Sequence, residues 1–306
     1  MRKPKALPSE LQAVPFSIVD AHDRGVSISR LRASDLETPI RGVRRPSPRD
    51  SSFRESLTTY KIHMAADEFL SHVTAAQLYE IPLPRTLQNA QAVHVSVHFP
   101  AFPPRVRGIT GHRLSVPIQP REHRTFRVVS PERTFTQLAA VLTLPELVIV
   151  GDFLVGRKHP LSTLQKLAAA VTSMGPARGV RMARLALPLI RTGTDSPMET
   201  LTRLLIVNAG LPEPVIGYTV RDRNGDFVAT PDLSYVVERI AIEYEGSDHQ
   251  TNPLVYAEDI ERRALLEAAG WFIILIIKTH IYTSPHWTTE RIRTALRERA
   301  DLRLAS

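Results

Sequence analysis

Residues 230–246 limit the fold more than any other stretch of the chain. Within them Ile240, Ile242 and Tyr244 alternate with Ala241, Glu243 and Glu245, which is the period of a β-strand. The alternation predicts that Glu243 and Glu245 share one face. Asp232 stands at the start of a preceding strand, and residues 236–239 are the right length for a hairpin turn between the two. Three carboxylates brought onto a mostly apolar sheet repel one another and are costly to desolvate. A divalent cation bridging their oxygens removes that cost, and hard oxygen donors suit Mg²⁺ or Mn²⁺. The competing reading is an edge strand whose acids are solvated.

Length and composition narrow the setting. A chain of 306 residues is expected to hold two or three domains. With 0 cysteines it has no disulfide, no thiolate nucleophile and no cysteine-based metal site. The longest apolar run, residues 271–277, is strand length and too short to cross a bilayer. The amino terminus carries no apolar signal core, so the expectation is a cytoplasmic protein with no membrane partner. The net charge is +8 and rests mainly on arginine, a residue that pairs with phosphate and guanine. That balance is compatible with a nucleic-acid partner, and an arginine-rich, lysine-poor usage also follows from a GC-rich genome. With the motifs below, DNA is the expected partner, and a protein partner or homodimer stays open.

Residues 1–11 are polar and basic and read as a tail. Residues 12–45 hold two short helical stretches, 14–25 stopped by Gly25 and 27–34 capped by Ser27, the spacing of a helix-turn-helix. An arginine-rich wing strand over 38–45 follows. This arrangement brings Arg30 and Arg32 to a major groove and Arg41, Arg44 and Arg45 to phosphates. The alternative is a small helical cap with solvated arginines. Residues 46–56 are Pro- and Ser-rich and read as a linker.

Residues 57–195 are expected to form a middle α+β domain. A helix is predicted over 69–79, and a strand over 92–98 with Val93, Val95 and Val97 on one face and His94 and His98 on the other. Two histidines four apart on a strand lie farther apart than ligands of one ion, so no metal is expected there. Residues 105–113 suggest a basic hairpin, and capped helices open at Ser130 and Ser162. No chemistry is expected from this region.

Residues 196–306 read as a helix to about 209 with Glu199 in a capping box, then strands over 215–221, 227–229 and the Asp232…Glu243 unit. A helix over 253–269, an apolar strand over 271–277 and an arginine-rich final helix complete the order. The strand–helix–strand crossover puts the Glu243 strand near the sheet centre. The expected fold class is thus multi-domain α/β, with a C-terminal mixed sheet flanked by helices, an N-terminal winged helix and an α+β middle region.

Two resemblances follow. The stretch from Gly25-Val-Ser-Ile-Ser-Arg-Leu-Arg through Pro39-Ile-Arg-Gly-Val resembles the winged-helix N-terminal domain of AbiEi-type antitoxins. Ser196-x-x-Glu199, Pro231-Asp232, Ile242-Glu-Tyr-Glu-Gly246 with His249, Asp259-x-x-Arg262 and Gly270-Trp271 resemble the DUF559 and very-short-patch-repair branch of the PD-(D/E)XK nucleases. The second resemblance implies a restriction-endonuclease-like fold in which Asp232 and Glu243 ligate Mg²⁺, the Tyr244 carbonyl adds a ligand, and Glu199 orients water. A typical member has lysine two residues after the second acid. Here that residue is Glu245, and His249 is the candidate substitute because it titrates near neutrality.

The reading is a metal-dependent DNA endonuclease, with His249 or Glu245 helping to deprotonate water. Arg262 and Arg263 are candidates to hold the phosphate, with Lys278 as a further contact. The alternative is a non-catalytic DNA-binding regulator, or AbiEi-like antitoxin, with a degenerate nuclease fold. A nuclease acting on RNA is a third reading.

Overall fold

The computed structural model describes residues 4–46, 52–246 and 253–305, the side chains of 253–258 excepted, and His249 lies outside the described residues. The chain is mixed α/β and divides into two compact units, Met1–Val141 and Leu142–Ser306. Residues 57–195, expected as one middle domain, are therefore shared between the units.

The first unit begins with β1 (Phe16–Ser17), α1 (Ile18–Asp23), α2 (Ile28–Leu31), β2 (Leu36–Glu37) and β3 (Val43–Pro46). Ser17 and Ser27 cap the two helices, their hydroxyls accepting the Asp20 and Arg30 N–H groups at 2.9 and 3.3 Å. Gly25, with φ +76°, makes the turn between the helices in a conformation that a Cβ disfavours. The strands form a sheet of order β1-β3-β2. Residues 1–11 are only partly the expected polar tail, because Leu7 and Leu11 are buried with Phe16, Ala21, Val26 and Leu31. Removing those two apolar side chains from water outweighs the polar character of their neighbours.

The rest of this unit holds α3 (Phe53–His63), β4 (Phe69–Leu70), α4 (His72–Leu78), α5 (Arg85–Gln88), β5 (Val93–His98), β6 (Ile109–Leu114), β7 (Arg121–His123), β8 (Phe126–Val128) and α6 (Pro131–Leu138). Its sheet runs β6-β5-β4-β8-β7, with β5/β6 and β4/β8 parallel. Two expectations are corrected. Residues 69–79 are a short strand followed by a helix, because Phe69 and Leu70 pair with Ser96 and Val95. Residues 105–113 are no hairpin: β6 lies parallel to β5, which requires a crossover, and prolines 100, 103 and 104 lie in that connection.

The second unit contains α7 (Leu144–Leu154), α8 (Leu164–Thr172), α9 (Val180–Ala186), α10 (Pro197–Asn208), β9 (Val215–Ile216), β10 (Val220–Arg221), β11 (Phe227–Ala229), β12 (Leu233–Tyr235), β13 (Ile240–Tyr244), α11 (Pro253–Ala268), β14 (Phe272–Ile276), α12 (Lys278–Tyr282) and α13 (Pro285–Leu304). The mixed sheet runs β14-β13-β12-β9, with β13 and β14 parallel and the other pairs antiparallel. The strand expected over 215–221 is broken at Gly217 (φ +58°), so β9 joins this sheet while β10 pairs with β11. Residues 236–239 form the connection between β12 and β13, as their spacing predicts.

The alternation along β13 separates two cores. Ile240 and Ile242 pack with Ile206, Ile274, Ile276 and Ile292, whereas Ala241 packs with Val228, Leu266 and Trp271. Inside the second unit, α7 is tied to α10. Asp152 on α7 forms a buried ion pair with Arg203 on α10, 3.0 Å apart and each side chain 1% exposed. Thr200 Oγ and the Arg191 N–H also donate to Asp152, and Arg203 donates to Glu213 and to the Leu189 carbonyl. Leaving one partner of such a pair buried alone costs about 3–5 kcal/mol.

Candidate functional site

A cleft of ≈ 310 Å³ is lined by Thr230, Asp232, Glu243, Tyr244, Glu245, Asp259, Arg262 and Arg263. The hairpin delivers Asp232, Glu243 and Glu245, and α11 delivers Asp259 with the two arginines. Asp232 immediately precedes β12 and accepts the Tyr244 N–H on Oδ2 at 2.8 Å, so the neighbouring strand fixes its carboxylate. Burial, then the charges of Glu199 and Glu243, push Asp232 up to about 7, against the pull of the Tyr244 N–H and Arg262. Glu199, at the start of α10, is also raised, chiefly by burial. Its Oε2 accepts the Asp195 N–H at 2.8 Å, and its own N–H donates to Ser196 Oγ. Glu199 therefore tethers the residue before the cap rather than closing a full capping box.

Glu243 is 4% exposed, and its Oε2 is buried with no hydrogen-bond partner. Its Oε1 meets the guanidinium of Arg262, which also reaches Asp259 at 3.1 Å. Glu245 lies 3.4 Å from Arg263. Each acid of the β13 face thus meets an arginine from α11, although Glu243 is buried and Glu245 only half-buried. Lys278 is exposed at the start of α12 and does not line the cleft.

At the N-terminal helices, Arg30 makes a two-pronged bond to Asp35 at 2.8 and 2.7 Å. Arg45 pairs with Glu37 at 2.5 Å, and Arg44 donates to the Leu31 carbonyl at 2.8 Å. Of the five arginines of this segment expected to meet DNA, these three also hold the small sheet and helices together. Arg32 and Arg41 are exposed.

A second cluster lies in the first unit, where no chemistry was expected. His94 shares no contact with His98, whose Nε2 accepts the Ile118 N–H at 3.2 Å. Instead His94 Nδ1 lies 3.0 Å from His112 Nε2 on the adjacent strand, and the His72 ring stacks on His112 with centroids 3.7 Å apart. Among the described residues, these three histidines are the group whose ligand atoms all lie within 4.8 Å of one another; the acids of the cleft form no such trio. The sequence reading missed His72 and His112 because three separate elements bring them together, and no local period marks that.

The chain is 26% identical over 219 residues to "Uncharacterized protein MT2308" of Mycobacterium tuberculosis strain CDC 1551 / Oshkosh, covering 72% of this chain and 78% of that protein. The same figures hold for "Uncharacterized protein Rv2248" of strain ATCC 25618 / H37Rv. No family model matches the chain. No solved structure matches it.

Proposed function

We propose that the second unit is a metal-dependent endonuclease of the PD-(D/E)XK kind, acting on DNA that the N-terminal helix-turn-helix helps to hold. The observation that carries this reading is Glu243 Oε2, a buried carboxylate oxygen without a partner beside an Asp232 pushed to about 7. A carboxylate pair that is desolvated and only partly neutralised is what a hard divalent cation relieves. Asp232 and Glu243, with the Tyr244 carbonyl, would hold Mg²⁺ or Mn²⁺ here. Bound in this cleft, such an ion supplies charge neutralisation at a phosphodiester and a water of lowered pKa.

The chain's own groups account for the rest. Arg262 and Arg263 place two cations at the cleft, where they attract a phosphate. Arg263 brings positive charge beside Glu245, at the position where typical members carry lysine. A guanidinium neutralises charge but takes no proton. Proton acceptance therefore falls to Glu245, which lines the cleft. His249, the other candidate, lies outside the described residues.

One observation favours a second reading, the non-catalytic DNA-binding regulator. Arg262 already contacts Glu243, so the cleft carries a cation of its own. Plasmid cleavage in Mg²⁺, Mn²⁺ or EDTA separates the two. The nuclease reading expects metal-dependent cutting that Asp232→Ala and Glu243→Ala both abolish. DNA binding undiminished in EDTA, with no cutting of duplex, single-stranded or RNA substrates, would overturn it and support the regulator.

A further inference from the structure

The second cluster is built on different principles from the carboxylate cleft. His94 leaves β5 on the face opposite Val93, Val95 and Val97. The parallel register sets His112 of β6 opposite Ser96, two residues along on that same face. His72 begins α4 with φ +51°, a backbone conformation uncommon for a residue with a Cβ. A hydrogen bond from the His72 N–H to Gln137 Oε1 of α6, 2.9 Å, helps hold it there. Ser71 Oγ lies 2.9 Å from His72 Nδ1 and accepts the Ser96 hydroxyl at 2.7 Å, while the His94 N–H donates to Thr74 Oγ at 2.8 Å. Ser71 thus orients the His72 ring, while the backbone bonds to Gln137 and Thr74 fix where His72 and His94 leave the chain.

Three imidazoles this close cannot all carry charge. Burial first, then their mutual repulsion, push His72 down to about 3 and His94 to about 4, and burial lowers His112 as well. Neutral imidazole is the form that ligates metals, and the ligand atoms of the three rings all lie within 4.8 Å of one another. In a tetrahedral site with Zn–N near 2.0–2.1 Å, two ligand nitrogens are about 3.3 Å apart. His94 Nδ1 and His112 Nε2 lie 3.0 Å apart across a hydrogen bond, close to that value, and an ion between them would take the place of the shared proton. Arg133 on α6 is near enough to lower His72 further, and its Nε is buried without a hydrogen-bond partner. A cation there opposes a bare metal ion but favours an anion as a fourth ligand.

We propose that His72, His94 and His112 form a three-histidine site for a divalent transition metal of the zinc class, with a further coordination position open to an anionic ligand beside Arg133. Nitrogen donors without a carboxylate select zinc, cobalt, nickel or copper over magnesium. The site is thus chemically separate from the carboxylate cleft and does not depend on the nuclease reading.

The test is Zn²⁺ and Co²⁺ titration of the full chain after chelator stripping, with Asp232→Ala, His94→Gln, His112→Gln and Ser71→Ala compared. Zn²⁺ is read by competition with a chromophoric chelator. We expect one zinc equivalent in the wild type and in Asp232→Ala, and at least about 100-fold weaker binding in either histidine variant. Ser71→Ala should lose about tenfold, as outer partners of ligating histidines commonly do. No zinc uptake by the wild type, or uptake unchanged in both histidine variants, overturns the proposal. If the variants misfold by circular dichroism, pulsed EPR of the Cu²⁺-loaded wild type decides. Three coupled imidazoles support the site, and fewer overturn it.

Discussion

The carboxylate cleft and the histidine cluster solve opposite electrostatic problems. In the cleft, like charges are held together, and the strain shows in an Asp232 pushed to about 7 and in an unpartnered oxygen on Glu243. Arginines from α11 offset part of that repulsion. In the cluster, burial disfavours charge on all three rings and leaves a desolvated guanidinium nearby. A cleft of hard oxygens whose charge is only partly offset suits Mg²⁺, whereas neutral nitrogens suit a borderline metal. Charge therefore separates the two candidate sites more clearly than burial does, since both are substantially withdrawn from water.

The largest effect should come from exchanging variants between the sites. Glu243→Gln is expected to slow Mg²⁺-dependent cleavage at least 10³-fold, roughly 4 kcal/mol of barrier, while zinc uptake is unchanged. His112→Gln should do the reverse. Equal loss of cleavage in both variants would break the distinction.

Stability comes next. Both tryptophans, Trp271 and Trp287, lie in the second unit, so their fluorescence in urea follows that unit alone. Arg203→Ala should cost about 3–5 kcal/mol by stranding Asp152, with zinc uptake kept. Asp232→Asn should act in the other direction and only at higher pH. Its folded-state pKa of about 7 lies above the ordinary 3.8, so the folded state holds a proton that the unfolded chain has released. The wild type thus loses stability as pH rises from about 4 to about 7, by roughly 2–4 kcal/mol. The Asn variant should lack this loss, and identical urea profiles at pH 5 and pH 8 for both proteins would contradict it.

The smallest effect is at Arg262, whose side chain is 33% exposed. Arg262→Gln should tighten Mg²⁺ binding by about fivefold, or about 1 kcal/mol, because it removes a competing cation. Destabilisation of the second unit without tighter Mg²⁺ binding would favour the regulator reading instead.

Much of the cleft was legible in the sequence because its geometry is local. The two-residue period of 240–244 placed Glu243 away from the Ile240 and Ile242 core, and the four-residue connection brought Asp232 beside it. The hydroxyl caps at Ser27, Ser130 and Ser196 were readable for the same reason, since a cap bonds an N–H three residues on. The cap expected at Ser162 falls instead on Thr163, and the one at Ser17 lies inside the helix expected over 14–25. The order of two short helices about Gly25 was legible too, but the intramolecular partners of Arg30 and Arg45 were not. Arg30 and Arg45 found acids five and eight residues away, which no helical or strand period requires.

The sequence by itself determined the periods, the caps and the face on which each acid stands, because neighbouring residues encode those through backbone geometry. Only the tertiary structure decided that Asp152 would meet Arg203 from 51 residues away, and that His72, His94 and His112 would converge. Such meetings depend on crossover paths and sheet register, which arise from the summed burial of many residues and leave no mark at any one of them.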